Sequence, residues 1–312
     1  MNSQPPPASG DSVTLTNRPG DFHVFQIRRV IADLKTRFQS VQIAELETLG
    51  RCLLVDGTLQ SAELDEFIYH EALVHPAMLL HPNPQHVLVL GGGEGATLRE
   101  VLSYPGVAEV TMVDIDEGLV AACKQYLQWD RGGFSDKRTR LVHGDARGYL
   151  ADASQHGKKY DVIVVDVSDP LPNGLAAKLF TREFYELAAS CLHEPGVLVT
   201  QALGIRYEAN DRSHAAVYKT VSSVFPSAWP YMEYMPSYDC LWGFVVAGNT
   251  TDLKFPRPAQ LRRRLHERLG RSLRFYDDQA HTRMFSLPKN HRDLLDKCQT
   301  ISKDQAPVEF SG

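Results

Sequence analysis

The chain has 312 residues and a net charge of −5, with 43% hydrophobic and 23% charged residues, an ordinary composition for a globular protein. The mild acidic excess argues against a nucleic-acid or anionic-membrane partner, and no apolar run approaches the roughly 20 residues that cross a bilayer. Five scattered cysteines without a CxxC pair read as reduced thiols, and the opening MNSQPPPASGDS lacks the charged and apolar regions of a signal peptide, so a cytoplasmic protein is expected.

Residues 1–20, rich in Pro, Ser, Asn and Gly, have the composition of a disordered tail. Residues 21–64 read as a small antiparallel β domain: FHVFQIRRVI, FQSVQIAEL and RCLLVDG alternate or run apolar, with turns at Gly50 and Asp56-Gly57. DEFIYHEALVHPAMLL (65–80) has helical spacing, and HPNP (81–84) is a turn, so 65–84 connects two domains. From 85 to 312 strands alternate with helices. The strands are VLVL (87–90), EVTMVD (109–114), RLVHGD (140–145), YDVIVVD (160–166), GVLVTQ (196–201) and LWGFVVAG (241–248). The main helices are 96–103, 117–127 and 180–192. This order predicts an α/β fold with a mainly parallel sheet and right-handed crossovers. The basic stretch RPAQLRRRLHERLG (257–270) reads as a solvated helix in a C-terminal extension.

Acidic residues fall just past the apolar runs, where an open α/β sheet binds its ligand. Gly91-Gly92-Gly93-Glu94-Gly95-Ala96 fits a G-x-G-x-x-A loop between strand and helix. Asp114 ends the next strand, where a ribose-hydroxyl acceptor belongs. These two features suit a dinucleotide enzyme and a nucleoside-sulfonium enzyme equally. Glu94 favours the second, because a carboxylate in the loop repels a pyrophosphate and attracts a sulfonium or ammonium. Asp145, in HGDA, is placed to accept from an adenine amino group, with Ala146 beside it. The competing role for Asp114 and Asp145 is helix capping. In Asp166-Val167-Ser168-Asp169-Pro170, two carboxylates follow a buried strand and the proline prevents an ordinary helix start. Such a pair can bind a cationic amine and take its proton, without which an amine has no lone pair for attack. His70 and His75 are spaced i,i+5, off one helical face, so no metal is expected there. Asp116 caps the next helix rather than completing a metal-binding DxD. Tyr69, Tyr238 and Trp242 could wall an aliphatic amine by cation–π contact, or belong to the core.

The stretches FQSVQI, LLVDGTLQSAELDEFIYHE, HPNPQHVLVLGGGEGATLREVL, MVDIDE, GDAR and DVSDP, in that order, resemble the spermidine synthase family of polyamine aminopropyltransferases. The resemblance implies a methyltransferase-like Rossmann doubly wound sheet preceded by an N-terminal β-hairpin domain, assembled as a homodimer or homotetramer. It implies aminopropyl transfer from decarboxylated S-adenosylmethionine, a co-substrate, to a small-molecule amine acceptor, with no resident cofactor or metal. By the same resemblance Asp166 is the proton acceptor. Gln39, Glu94, Asp114, Asp145 and Ala146 meet the donor, along the loop Gly91, Gly92, Gly93, Gly95. Tyr69, His70, Asp169, Gln201 and Tyr238 meet the acceptor, His70 also lying near the donor. GGGEGA, the long loop after Asp169-Pro170 and MPSYDCLWGF are closest to the thermospermine synthase and prokaryotic agmatine or triamine branch. That leaves putrescine, agmatine and spermidine as candidate acceptors and suggests a pocket that admits one longer than putrescine, with Glu233 and Asp239 the nearest acids in the sequence for its far nitrogen. The rival reading is a small-molecule methyltransferase using S-adenosylmethionine, which shares the loop, Asp114 and Asp145.

Overall fold

The computed structural model describes residues 12–18, 21–170, 174–205 and 212–308. An antiparallel sheet comes first, in simple meander order: β1 (Ser12–Arg18), β2 (Asp21–Lys35), β3 (Ser40–Leu46), β4 (Gly50–Val55) and β5 (Thr58–Ala62). The expected tail through residue 20 is therefore too long. Val13 and Leu15 alternate inward and are buried against Ala44, Leu46 and Leu54, so Ser12–Arg18 is a strand paired to β2. The Pro-rich opening masks that short alternation, and residues 1–11 lie outside the described residues.

Helix α1 (Glu66–Leu80) follows, as the spacing predicts, with Pro76 in its interior. A proline there leaves the carbonyl four residues back without its helical partner. That carbonyl, on Ala72, accepts instead from the Tyr231 hydroxyl at 3.0 Å. From residue 72 onward α1 is almost wholly buried in the core of the larger sheet. Its Glu71 is fully buried and accepts from the backbone N–H groups of Arg274, Phe275 and Tyr276 at 2.8–2.9 Å, which ties down the C-terminal extension.

The larger sheet is built from β6 (His86–Gly91), β7 (Glu109–Asp114), β8 (Thr139–His143), β9 (Tyr160–Asp166), β10 (Leu192–Ile205), β11 (Ser227–Met235) and β12 (Cys240–Gly248). Their spatial order is β11-β12-β10-β9-β6-β7-β8. Strands β6 to β10 pair in parallel, and β12 is antiparallel to both its neighbours. The apolar runs read as strands because both faces are covered. Val87 and Val89 join α1 and α2 (Ala96–Leu102) in one core. Leu88 and Leu90 join α4 (Ala146–Gln155), α5 (Arg182–Ser190) and α6 (Ser213–Ser222) in the other. Helix α3 (Glu117–Ala122) runs into a π-turn at Cys123–Leu127. The sequence did not show β11, whose Pro230 obscures the pattern; a proline is tolerated there because β11 is an edge strand. It also missed α6, α8 (Asp278–Phe285) and α9 (Lys289–Lys297), while the basic stretch forms α7 (Pro258–Arg268) as expected.

Candidate active site

Strand order reverses between β6 and β9, so their C-terminal ends form the crevice where an open α/β sheet takes its ligand. Gly91 and Asp166 are register partners there, and the Gly92 N–H donates to the Asp166 carbonyl at 2.8 Å. Gly91 has φ +80°, and a Cβ on it would lie 2.0 Å from that carbonyl oxygen. A Cβ on Gly93 would meet the Asp114 carboxylate at 2.9 Å and Leu119 at 2.4 Å. The loop glycines therefore let the backbone of Gly91–Gly95 lie flat against the two strand-end acids.

Asp166 is half-buried and held from both sides. Tyr69 donates its hydroxyl to Oδ1 at 3.0 Å, and Thr97 donates to Oδ2 at 2.5 Å. Each oxygen keeps a lone pair, so the carboxylate is fixed in direction and still able to accept a proton. Tyr69 cannot compete as an acid, because burial first and Asp166 second raise its phenol well above the usual value.

The acids at the ends of β7 and β8 divide into two kinds. Asp114 accepts from the Asp116 N–H at 2.9 Å, yet burial pushes its carboxyl up to about 6. Asp145 is exposed and caps α4 by accepting from Gly148 N–H at 2.7 Å, while Ala146 is buried behind it. Asp116 caps α3 through Gly118 and Leu119, as expected. Its other oxygen accepts from Gln39 Nε2 at 2.9 Å and Thr36 Oγ1 at 2.6 Å. Gln39 thus reaches the edge of the donor crevice from the N-terminal sheet, with one amide proton already engaged.

Glu94 is buried, and its Oε1 lies 2.5 Å from His70 Nε2. The opposite ring nitrogen, Nδ1, is 2.5 Å from the Glu66 carbonyl oxygen and 3.3 Å from the Glu66 carboxylate. Glu66 in turn takes Arg99 in a two-pronged pair at 3.2 and 2.7 Å, and Arg99 Nε reaches Glu100 at 2.8 Å. Burial alone would depress His70, but the Glu94 and Glu66 carboxylates outweigh it and raise the imidazole well above its ordinary value. A buried carboxylate in this crevice is thus already matched by a buried cation.

On the other side of Asp166, Gln201 is buried on β10 and donates to the Val167 carbonyl at 3.0 Å and to Asp169 Oδ1 at 3.3 Å, which orients Asp169. Tyr238 donates to the Gln60 carbonyl and packs on Trp242, ring centroids 4.9 Å apart. Trp242 also meets Tyr69 edge-on at 6.4 Å, and its indole Nε1 is buried with no hydrogen-bond partner among the described residues. The distant acids expected from sequence are otherwise engaged. Glu233 is clamped by Arg283 at 2.5 and 2.8 Å, and Asp239 is taken by the Tyr234 hydroxyl at 2.5 Å and His23 at 3.4 Å. Asp65 lies nearer: it is buried, accepts from Ser237 N–H at 2.7 Å, and stands with Tyr69, Met235 and Tyr238 around a crevice too narrow to admit a water molecule.

The structure places Asp166, Asp169, Glu94, His70, Tyr69, Gln201 and Tyr238, all singled out from the sequence, around one crevice, and adds Asp65, Glu66, Thr97 and Arg99, which the sequence did not single out. Glu66 precedes His70 by one helical turn and Thr97 opens α2, so buried polar residues beside known motifs were the available signal. At the opposite ends of the strands, His86, Asp161 and His193 bring ligand atoms within 4.8 Å of one another, but both histidines are exposed and the nearby His81 is occupied by the Pro195 carbonyl at 3.0 Å.

Residues 66–255 match the spermine/spermidine synthase domain model. The chain is 42% identical over 290 residues to polyamine aminopropyltransferase 2 of Hyperthermus butylicus, covering 93% of each. It is 40% identical over 291 residues to the polyamine aminopropyltransferase of Sulfolobus acidocaldarius, covering 93% of this chain and 95% of that one. Among solved structures, it is similar to spermidine synthase in complex with the transition-state analogue AdoDATO, with TM-score 0.82 and 29% identity over 96% of this chain and 99% of that one. It is also similar to the spermidine synthase of Thermotoga maritima, with TM-score 0.80 and 30% identity over 95% of this chain and 97% of that one.

Proposed function

Because the chain belongs to the spermine/spermidine synthase family and is a polyamine aminopropyltransferase by its relatives, we propose that it uses Asp166 as the base that deprotonates the amine acceptor. The acceptor nitrogen attacks the donor methylene next to the sulfonium of decarboxylated S-adenosylmethionine. The new N–C bond forms as the C–S bond breaks, its electron pair stays on sulfur, and methylthioadenosine leaves. The nitrogen's proton goes to Asp166, so charge and electrons balance without a redox step. One observation carries the assignment: Asp166 sits at the strand switch point, fixed by Tyr69 and Thr97, with the cation-seeking Glu94 and Asp169 on either side in the chain. Much of the rate comes from holding the two reactants in line.

Asp114 takes the ribose hydroxyls, Asp145 and Ala146 the adenine, Gln39 the donor rim, and Glu94 the aminopropyl ammonium. Asp169, oriented by Gln201, holds one acceptor nitrogen, and Asp65 is the acid for a far one. With Asp65 in that role the acceptor is one longer than putrescine, namely spermidine or agmatine, and its passage requires the Tyr69 and Tyr238 rings to move apart. Part of the loop expected to set its length, residues 171–173, lies outside the described residues. Exposed Val24 and Val30 on the fifteen-residue β2 support a homo-oligomer, and five free cysteines suit a cytoplasmic setting. The test is kcat/KM for putrescine, agmatine and spermidine side by side. A preference for either longer amine is expected; a putrescine preference above roughly tenfold, about 1.4 kcal/mol, would end the long-pocket assignment.

A further inference from the structure

We propose that His70 is an exchangeable counter-ion: in the free enzyme its imidazolium occupies Glu94, and the primary ammonium of the donor takes that carboxylate while His70 loses one proton from Nε2 to solvent. The inference rests on Glu94 being the partner of the aminopropyl ammonium.

The geometry decides which proton leaves. Nδ1 lies 2.5 Å from the Glu66 carbonyl, an acceptor only, so Nδ1–H is retained in every state. Nε2, 2.5 Å from Glu94, is the nitrogen that faces the crevice. Protonated, it donates to Glu94. Neutral, it presents a lone pair and becomes an acceptor for an incoming N–H. The same ring can therefore satisfy Glu94 when the site is empty and the ammonium when it is full.

The surroundings explain why the empty site holds the proton. Glu66 faces the ring from its own helix, Glu94 from the glycine loop and Asp166 from the end of β9. Tyr69 contributes an edge-on ring at 5.0 Å, and the neutral Tyr238 phenol comes from the β11–β12 turn. Arg99, the cation that shares Glu66 with the ring, is already engaged by Glu66 and Glu100. Without a ligand the ring is the cation that Glu94 has. A second cation on the same buried carboxylate repels the imidazolium, and the ring is the only one of the two that can discharge near neutral pH. Transfer then carries the ammonium off on the product. Methylthioadenosine, which has none, is left in a site where His70 recovers its proton from solvent.

Two ligands separate donor charge from nucleoside binding. Isothermal titration of the wild-type enzyme in buffers of different ionisation enthalpy counts protons, and ¹⁵N-histidine spectra report the ring directly. Decarboxylated S-adenosylmethionine should release about one proton, with affinity rising about tenfold per pH unit while free His70 is charged. The His70 nitrogens should change from imidazolium to the neutral Nδ1–H tautomer. Methylthioadenosine should bind with neither change. Equal release for both ligands, no release, or release with His70 still an imidazolium would each overturn the inference. Failure of the donor to bind at all would instead overturn the donor assignment of Glu94 and the crevice. In His70→Gln the donor should still bind, with the tenfold-per-unit slope gone; a slope that persists argues against His70.

Discussion

The two halves of the site, proposed above to take the donor and the acceptor, are built differently. The donor half is a series of strand–loop–helix segments, each carrying its own acid: Gly91–Gly95 with Glu94, Asp114, and Asp145. The acceptor half is assembled from distant parts of the chain, with Tyr69 on α1, Gln201 on β10, and Tyr238 and Trp242 around the β11–β12 turn, against Asp65 and Gln60 beside the N-terminal sheet. A local motif specifies both its conformation and its place in the fold. A pocket closed by long-range packing is specified only by the whole structure. Substitutions in the first half should change one chemical property each, and those in the second should change fit.

The largest effect is expected where the halves meet. Asp166→Asn keeps the shape and one accepting oxygen, the hydroxyl on its other side turning to accept from the new NH2, but loses the proton acceptor. Its kcat should fall roughly 10²–10⁴-fold, with methylthioadenosine affinity, measured by calorimetry, within a few-fold of wild type. Parallel loss of both would make Asp166 a structural residue. Next, Glu94→Gln removes one charge-assisted contact, worth about 1.5–3 kcal/mol. The KM for decarboxylated donor should rise roughly 10–100-fold by that measure, and discrimination against S-adenosylmethionine should narrow. Unchanged discrimination would remove Glu94 from the donor half.

Asp114 gives a pH test free of His70 if methylthioadenosine is the ligand. In the proposed role, ionised Asp114 would accept from both ribose hydroxyls and, protonated, would lose part of that capacity. Burial raises its carboxyl to about 6, so affinity should be full above that pH and weaken as pH falls through it. Fluorescence titration across this range should show the midpoint, and Asp114→Asn should flatten it. A wild-type midpoint near the ordinary Asp value would mean that the carboxyl is not desolvated. In the acceptor half, Tyr238→Phe deletes the hydroxyl that ties the pocket wall to Gln60. One hydrogen bond, about 1 kcal/mol, corresponds to a roughly fivefold rise in acceptor KM with donor KM unchanged; a change confined to the donor would misplace Tyr238. The smallest effect is Asp145→Asn, because Asn also caps a helix. Stability and donor affinity should each change by less than about 1 kcal/mol, and a larger loss of affinity would mean that the carboxylate charge is needed at the adenine.

The same contrast explains what could be read before the structure. The apolar runs at 87–90, 109–114 and 160–166 placed their strands correctly, because burial on both faces leaves an unmistakable pattern. Gly91, Glu94 and Asp166 were legible because one stretch of chain encodes both the turn and the side chain. That Glu233 and Asp239 are engaged by Arg283 and Tyr234 was not legible, because nothing local reveals those partners. Asp65 and Arg99 were invisible for the converse reason: a charge looks solvated in sequence until a partner such as Ser237 N–H or Glu66 is brought to it. His70 was singled out, but its state depends on Glu66 one helical turn before it and on Glu94, which reaches it only in the fold.

The most direct test of aminopropyl transfer by this chain follows the fate of the donor. Enzyme is incubated with decarboxylated S-adenosylmethionine and spermidine, agmatine or putrescine, and all products are identified by mass. The account predicts an amine heavier by one aminopropyl group for at least one acceptor, formed in equal amount with methylthioadenosine and nearly absent with Asp166→Asn. A methylated amine without methylthioadenosine, or aminopropylation that Asp166→Asn leaves untouched, would contradict it.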